Sequence, residues 1–235
     1  MRDDTTEARP SGTRPTRRAV LATGVGLAGA LWITGTAAGT AQAATDPGTW
    51  DGSTSQNGWK VAPSAGSGIK TLRIEGSDVS VALREGAAAT LLLHVARRFH
   101  YEIHPLSSGD VTGHSTHRKV GAAFESNYLS GTALAIRPLL YPAGVKGGFF
   151  PNELIVLRDI LADCEGAVRW GGDERGVVKE SHFQIDVKPG SALLRKVAAK
   201  IDAWAVTPGA GAGAIDPFVS ARRKAARALE RRQAA

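Results

Sequence analysis

Ser126-Asn127-Tyr128-Leu129-Ser130-Gly131-Thr132-Ala133-Leu134-Ala135-Ile136-Arg137-Pro138 is the stretch whose reading decides the fold. It is read together with a later pair of segments, Arg169-Trp170-Gly171-Gly172-Asp173 and Glu180-Ser181-His182-Phe183-Gln184-Ile185. Between them, Leu154, Leu157, Leu161 and Cys164 form one apolar stripe, which predicts a helix from Pro151 to Cys164 with proline at its first position. Val168–Trp170 and His182–Val187 read as short strands.

Working outward, Thr71–Ile74 and Val79–Leu83 alternate apolar and polar residues around Gly76-Ser77-Asp78, the pattern of a hairpin. Leu91, Leu92, Val95 and Phe99 recur at helical spacing and predict a helix from about Ala87 to His100, with His94 as a structural histidine beside the stripe. A further helix is expected from Ser191, a natural N-cap, burying Leu194, Val197, Ile201 and Trp204. Thr207–Ala214 reads as a Gly/Ala/Pro linker and Pro217 onwards as a basic tail helix. The order of elements argues an α+β domain, a small antiparallel sheet with flanking helices, over residues 69–206.

Residues 44–68, rich in Gly, Ser, Thr, Asp and Pro, are expected to be a mobile lead-in. Within it, Trp50 and Trp59, with the Asn57-Gly58 turn, read as packing onto the body in preference to stacking on a sugar. Residues 1–43 read as an address label. Arg17-Arg18 followed by Ala19-Val20-Leu21 fits the twin-arginine pattern, an uncharged stretch follows, and Ala41-Gln42-Ala43 offers a cleavage site. The expectation is an exported protein, extracellular or wall-associated, with retention of the segment as an anchor as the alternative.

Charge is distributed unevenly. Residues 44–216 hold 18 basic and 18 acidic residues, whereas the last 19 hold Arg222, Arg223, Lys224, Arg227, Arg231 and Arg232 against Glu230 alone. The net charge of +7 therefore describes the two ends of the chain, and nucleic-acid binding by the domain loses its support. A solvated end is the plainer expectation for the tail, and contact with anionic polymers or lipid headgroups the functional one. Cys164 is the sole cysteine, which excludes an intramolecular disulfide and reads as a core residue. His100, His104, His114 and His117 cluster in sequence but share no element face, so they read as loop histidines, with His114 or His117 the ones that could line a site.

The two stretches quoted first resemble the metal-site motifs of the zinc D-alanyl-D-alanine carboxypeptidases and their VanY-type relatives, Ser-x-His-x-x-Gly-x-Ala-x-Asp-Ile and a terminal His-Phe-Glu. Ser126, Asn127, Gly131, Thr132, Ala133, Ile136, Trp170-Gly171-Gly172-Asp173 and His182-Phe183 carry the resemblance, which covers roughly residues 116–187. It implies a Hedgehog/DD-peptidase-like fold, a zinc ion and a peptidoglycan stem peptide or other cell-wall polymer as ligand. The departures fall on the ligands: Tyr128 and Ala135 stand where the family has histidine and aspartate, and His182 alone is kept. Alanine has no donor atom and a neutral tyrosine is a poor zinc ligand. By the same resemblance Glu180 is the candidate acid/base, since Lys179 takes the position where some relatives carry that carboxylate. Arg118 is the candidate anchor for substrate or oxyanion, with Lys119 and Arg137 competing, and Ser126, Trp170 and Asp173 are candidate pocket walls. Three functions follow as expectations: a peptide-binding domain with a degenerate zinc site; an active metallopeptidase in which His114 or His117 and Asp173 join His182; or a structural wall protein.

Overall fold

The computed structural model describes residues 48–64 and 66–234; the expected twin-arginine segment and cleavage triplet lie outside the described residues. Eight short strands and four α-helices are present among the described residues: β1 Gly48–Thr49, β2 Ile69–Arg73, β3 Ser80–Arg84, α1 Ala87–Glu102, β4 Val111–Thr112, β5 Lys119–Val120, β6 Ala133–Ile136, α2 Pro151–Asp163, β7 Val168–Trp170, β8 His182–Ile185, α3 Ala192–Ala205 and α4 Ser220–Ala234. Mixed α and β structure with small antiparallel sheets agrees with the α+β expectation.

The central sheet has strand order β4-β6-β8-β7, and every neighbouring pair is antiparallel. Strands β6 and β8 occupy its middle and are buried along their whole length. This accounts for the apolar run Ala133–Ile136, since a strand covered on both faces has no solvent side to mark with polar residues; in β8 the alternate residues His182 and Gln184 are polar but buried, and bond one another. The hairpin β2–β3 forms a separate two-stranded sheet around Ser77, whose hydroxyl closes the turn on the Ile74 carbonyl at 2.9 Å.

Helix α1 lies against α3, α2 and the sheet, and Leu91, Leu92, Val95 and Phe99 are all buried in the shared core. Helix α2 starts as the sequence predicts, with Pro151 at its first position and Glu153 accepting the Phe150 N–H at 2.7 Å. Ser191 caps α3, its hydroxyl accepting the Leu194 N–H.

Two parts of the chain are more firmly attached than their composition suggests. The expected mobile lead-in is tied down: β1 pairs with β5, Val61 and Ala62 are buried, and the Ala62 N–H reaches the Leu129 carbonyl at 2.8 Å. Trp59 packs as expected, its indole N–H donating to the Val187 carbonyl at 2.8 Å. The expected solvated tail is also docked. Helix α4 lies on α2 and buries Ala226 and Leu229, and the Arg222 guanidinium forks onto Asp159 at 2.8 Å and also meets Asp163 at 2.8 Å. The physical reason is that one arginine forked onto two buried aspartates, together with the buried Ala226 and Leu229, fixes the helix, and nothing in composition separates it from its five basic neighbours.

Candidate functional site

The first motif turns from a 3₁₀ segment, Ala123–Tyr128, into β6. Gly131 makes the bend, with φ +70°; a β-carbon there would meet Ile69 Cδ1 at 2.4 Å and the Arg84 backbone nitrogen at 2.9 Å, so only glycine fits. In the second motif the Cβ of any other residue at Gly171 would sit 2.4 Å from the Lys179 carbonyl and 2.9 Å from His182 Cβ. Gly131 thus brings its backbone against the β2–β3 hairpin, and Gly171 brings its own against His182 in the central sheet, where the three positions singled out from the sequence meet. Ala135 and His182 are direct cross-strand partners, and the Tyr128 hydroxyl lies 2.7 Å from His182 Nδ1.

They meet as a hydrogen-bonded cluster. His182 Nε2 is 2.9 Å from Gln184 Oε1, which also accepts from Asn127 Nδ2 at 2.8 Å. An amide oxygen can only accept, so His182 carries its proton on Nε2, and Nδ1 accepts from the Tyr128 O–H. Burial pulls the His182 imidazole down to about 4 and pushes the Tyr128 phenol well above its usual range, so both are neutral at neutral pH. Phe124 and Tyr128 pack their rings on the imidazole, with centroids at 4.7 and 5.1 Å.

The network continues into the segment read as a lead-in. The Gln56 N–H donates to Ser126 Oγ at 2.8 Å and the Asn57 N–H to Asn127 Oδ1 at 3.1 Å. Asn57 Nδ2 bonds both Thr132 Oγ1 and the Ile185 carbonyl at 2.8 Å, and the Ser55 hydroxyl reaches Ser130 at 2.9 Å. Ser55, Gln56 and Asn57 were not singled out from the sequence. The Asn57-Gly58 turn beside Trp59 was the one signal that this segment has a fixed conformation.

The residues present do not fit a zinc ion. A catalytic site needs three protein donors and an open position. Ala135 offers none, the Tyr128 oxygen keeps its proton, and both nitrogens of His182 are engaged. His114 Nε2 donates to the Ala62 carbonyl, 3.1 Å away, His117 lies in an exposed stretch, and Asp173 forks onto Arg158 at 2.5 and 2.6 Å. The alternative ligand set of these three with His182 is therefore not assembled. Among the described residues no group of three or more His, Cys, Asp or Glu side chains is arranged to hold a metal ion.

The other candidates are engaged elsewhere. Both Glu180 carboxylate oxygens accept backbone N–H groups, of Gly147 and Gly148, at 2.8 Å. Glu180 thus fixes the loop between β6 and α2, its buried carboxylate committed to that backbone. The carboxylate that does stand beside the cluster is Glu125, paired with Lys179 at 2.5 Å, while the Lys179 ammonium sits 5.2 Å from the centre of the Tyr128 ring. Burial would raise the Glu125 carboxyl, but Lys179 and the Gly121 N–H hold it below its usual range. Arg118 donates to the Trp50 and Gly52 carbonyls and so anchors β1 instead of a substrate. Ser126 is fully buried, its hydroxyl donating to the Ala123 carbonyl at 2.6 Å. Trp170 is core: its N–H meets the Glu180 carbonyl at 2.7 Å, and the Arg158 guanidinium covers its ring. Cys164 is buried in the core, as expected, and burial pushes its thiol up.

The β6–α2 loop displays apolar side chains. Leu139 is 97% exposed and Phe150 68%, with Leu140 and Val145 about half exposed. No family model, curated protein or solved structure matches the chain.

Proposed function

We propose that this chain is an exported cell-wall protein whose D-alanyl-D-alanine carboxypeptidase-like domain binds peptidoglycan stem peptide without cleaving it. One observation carries the reading. Tyr128 and Ala135, on one short stretch, meet His182, 54 residues beyond Tyr128, at one point, and there the side chains make a neutral hydrogen-bonded core. Convergence at that point favours the peptidase-like ancestry; the loss of donor atoms removes the chemistry. The exposed Leu139, Leu140, Val145 and Phe150, on a loop held by Glu180, supply surface for a binding role.

The test rebuilds the site. In the Tyr128→His, Ala135→Asp double variant, His182 Nδ1 is released from the phenol while Nε2–H stays on Gln184, the outer hydrogen bond that a metal-bound histidine ordinarily makes. The expected result is one zinc ion per chain in the double variant and none in the wild type, read by metal analysis after dialysis. Wild-type zinc that disappears in His182→Ala, or D-alanine released from stem peptide by the wild type, overturns the non-catalytic reading. A double variant that folds yet takes up no zinc overturns the family mapping. Sedimentation of the wild type with insoluble peptidoglycan, in a chain whose α4 cations are neutralised, tests the binding half; protein left wholly in the supernatant refutes it.

A further inference from the structure

The cations of this chain fall into two groups. In the body, most are spent: Lys70, Arg73, Arg97, Arg98, Arg158, Arg169, Lys179, Lys196 and Lys200 all pair with carboxylates. On α4 the pattern inverts. Arg222 alone turns inward, to Asp159 and Asp163. Arg223, Lys224, Arg227, Arg231 and Arg232 are exposed, and no acidic side chain among the described residues pairs with any of them.

The helix that carries them is held at both ends. Besides Arg222 near its start, Gln233 Nε2 donates to the Val168 carbonyl at 2.9 Å near its end, and Ala226 and Leu229 are buried between. A flexible basic tail would present the same charge in no fixed order. Here Arg223, Arg227 and Arg231 recur every four residues, about 6 Å apart along the axis, as one row on one face. With Ser220 and Lys224 they line a cleft of 280 Å³.

We propose that this face of α4 is a docking surface for a linear phosphate-bearing polymer. Charge complementarity selects an anion, and the row of guanidiniums, each able to fork onto a phosphate, selects a repeating one. The exposed residues of α4 itself are Ser, Ala, Arg and Lys, so the helix has no apolar face to enter a bilayer; the exposed Phe218 and Val219 lie just before its first turn. The proposal is independent of the reading of the His182 cluster.

The experiment titrates the full chain with inorganic polyphosphate across a range of salt concentrations. Binding is expected to weaken steeply with salt, as counterion release requires. Arg223→Gln, Arg227→Gln, Arg231→Gln together should cut affinity at least ten-fold and flatten the salt dependence by about 2–3 in log–log slope. These side chains have no partner in the fold, so circular dichroism of the triple variant should match the wild type. Affinity unchanged in the triple variant, or absent from the wild type at about 0.1 M salt, overturns the proposal. So does oligothymidylate of equal phosphate number binding ten-fold tighter than polyphosphate, which would make the face a nucleic-acid site. Phosphatidylglycerol vesicles outcompeting polyphosphate would make it a membrane contact and equally overturn it.

Discussion

Two buried histidines divide the molecule into two kinds of polar core. His182 sits in a neutral cluster, with Tyr128, Gln184 and Asn127 satisfying one another through uncharged hydrogen bonds. His94 sits at the edge of an ionic one: Arg98, fully buried, meets Asp159 at 2.8 Å, Asp163 at 2.9 Å and Glu102, while Arg222 reaches the same two aspartates from α4. His94 Nε2 approaches Asp163 at 3.4 Å and its Nδ1 has no hydrogen-bond partner among the described residues, so the expected structural histidine is only half satisfied there. The neutral cluster knits the lead-in to the central sheet; the ionic one joins α1, α2 and α4. Both hold segments that composition marks as loose, but they fail differently. Neutral groups lose stability through missing hydrogen bonds, whereas buried ions lose it through uncompensated charge.

The largest effect is expected where charge is left alone. Arg98→Met removes the cation shared by three carboxylates, and Arg222 remains to compensate only two of them. A loss of about 3–5 kcal/mol is expected in urea unfolding, the range for breaking a buried pair from one side. A loss below about 1 kcal/mol would show that the cluster is wet and that the contrast between the two cores is only geometric.

Acid should separate the two clusters by pH. The His182 pKa falls from the ordinary 6.5 to about 4 because burial opposes the charged ring. The unfolded chain then binds the proton more readily than the folded one, so stability is fully present above about pH 6.5 and is lost as pH falls toward 4. The loss is on the order of 3 kcal/mol. His94, also lowered by burial against the pull of Asp163, adds to the same window. Burial raises the Asp163 carboxyl, but the hydrogen bond from His94 and the charges of Arg98 and Arg222 outweigh it and hold it at about 2. Its contribution is present above 3.8 and is lost only between 3.8 and 2. Stability measured by urea titration at successive pH values should therefore fall first through the histidines and then through Asp163. A flat profile from pH 6.5 to 4, or a His182 ring that titrates near 6.5 by NMR, would remove the distinction.

The same contrast explains what was legible from sequence. The hairpin, α1, α2, β7, β8 and α3 were all readable, because each presents an apolar face whose period survives in the sequence. That Tyr128, Ala135 and His182 meet was an expectation only through the resemblance of the two motifs to the carboxypeptidase ones; spacing alone does not show it. The partners of both polar cores were not legible. Ser55, Gln56 and Asn57 act largely through single hydrogen bonds that carry no periodicity, and they look like any polar loop. Arg222 differs from Arg223 only in what it faces across α2. Glu180, the expected acid/base, was misplaced for a similar reason: two neighbouring backbone N–H groups, at Gly147 and Gly148, claim it, while Glu125, which nothing in the sequence marked, stands beside the cluster paired with Lys179.

The smallest expected effect tests the neutral core most directly. Tyr128→Phe deletes one oxygen and leaves the ring, so packing against His182 and beneath Lys179 is kept. What is lost is the O–H that His182 Nδ1 accepts, and the nitrogen is left buried without a donor. The expected cost is about 1–3 kcal/mol, the desolvation penalty of an unsatisfied polar group. The direction of a second change is also fixed. With the phenol gone, Nδ1 has no competing donor, so protonation of the ring no longer has to break a hydrogen bond to the neutral form. The His182 pKa should move up from its depressed value, and the acid loss of stability should begin at higher pH. A Tyr128→Phe chain as stable as the wild type, with an unmoved His182 titration, would mean that the aromatic packing of Phe124 and Tyr128 holds this point of the sheet together. The Tyr128–His182 hydrogen bond would then be incidental to the fold.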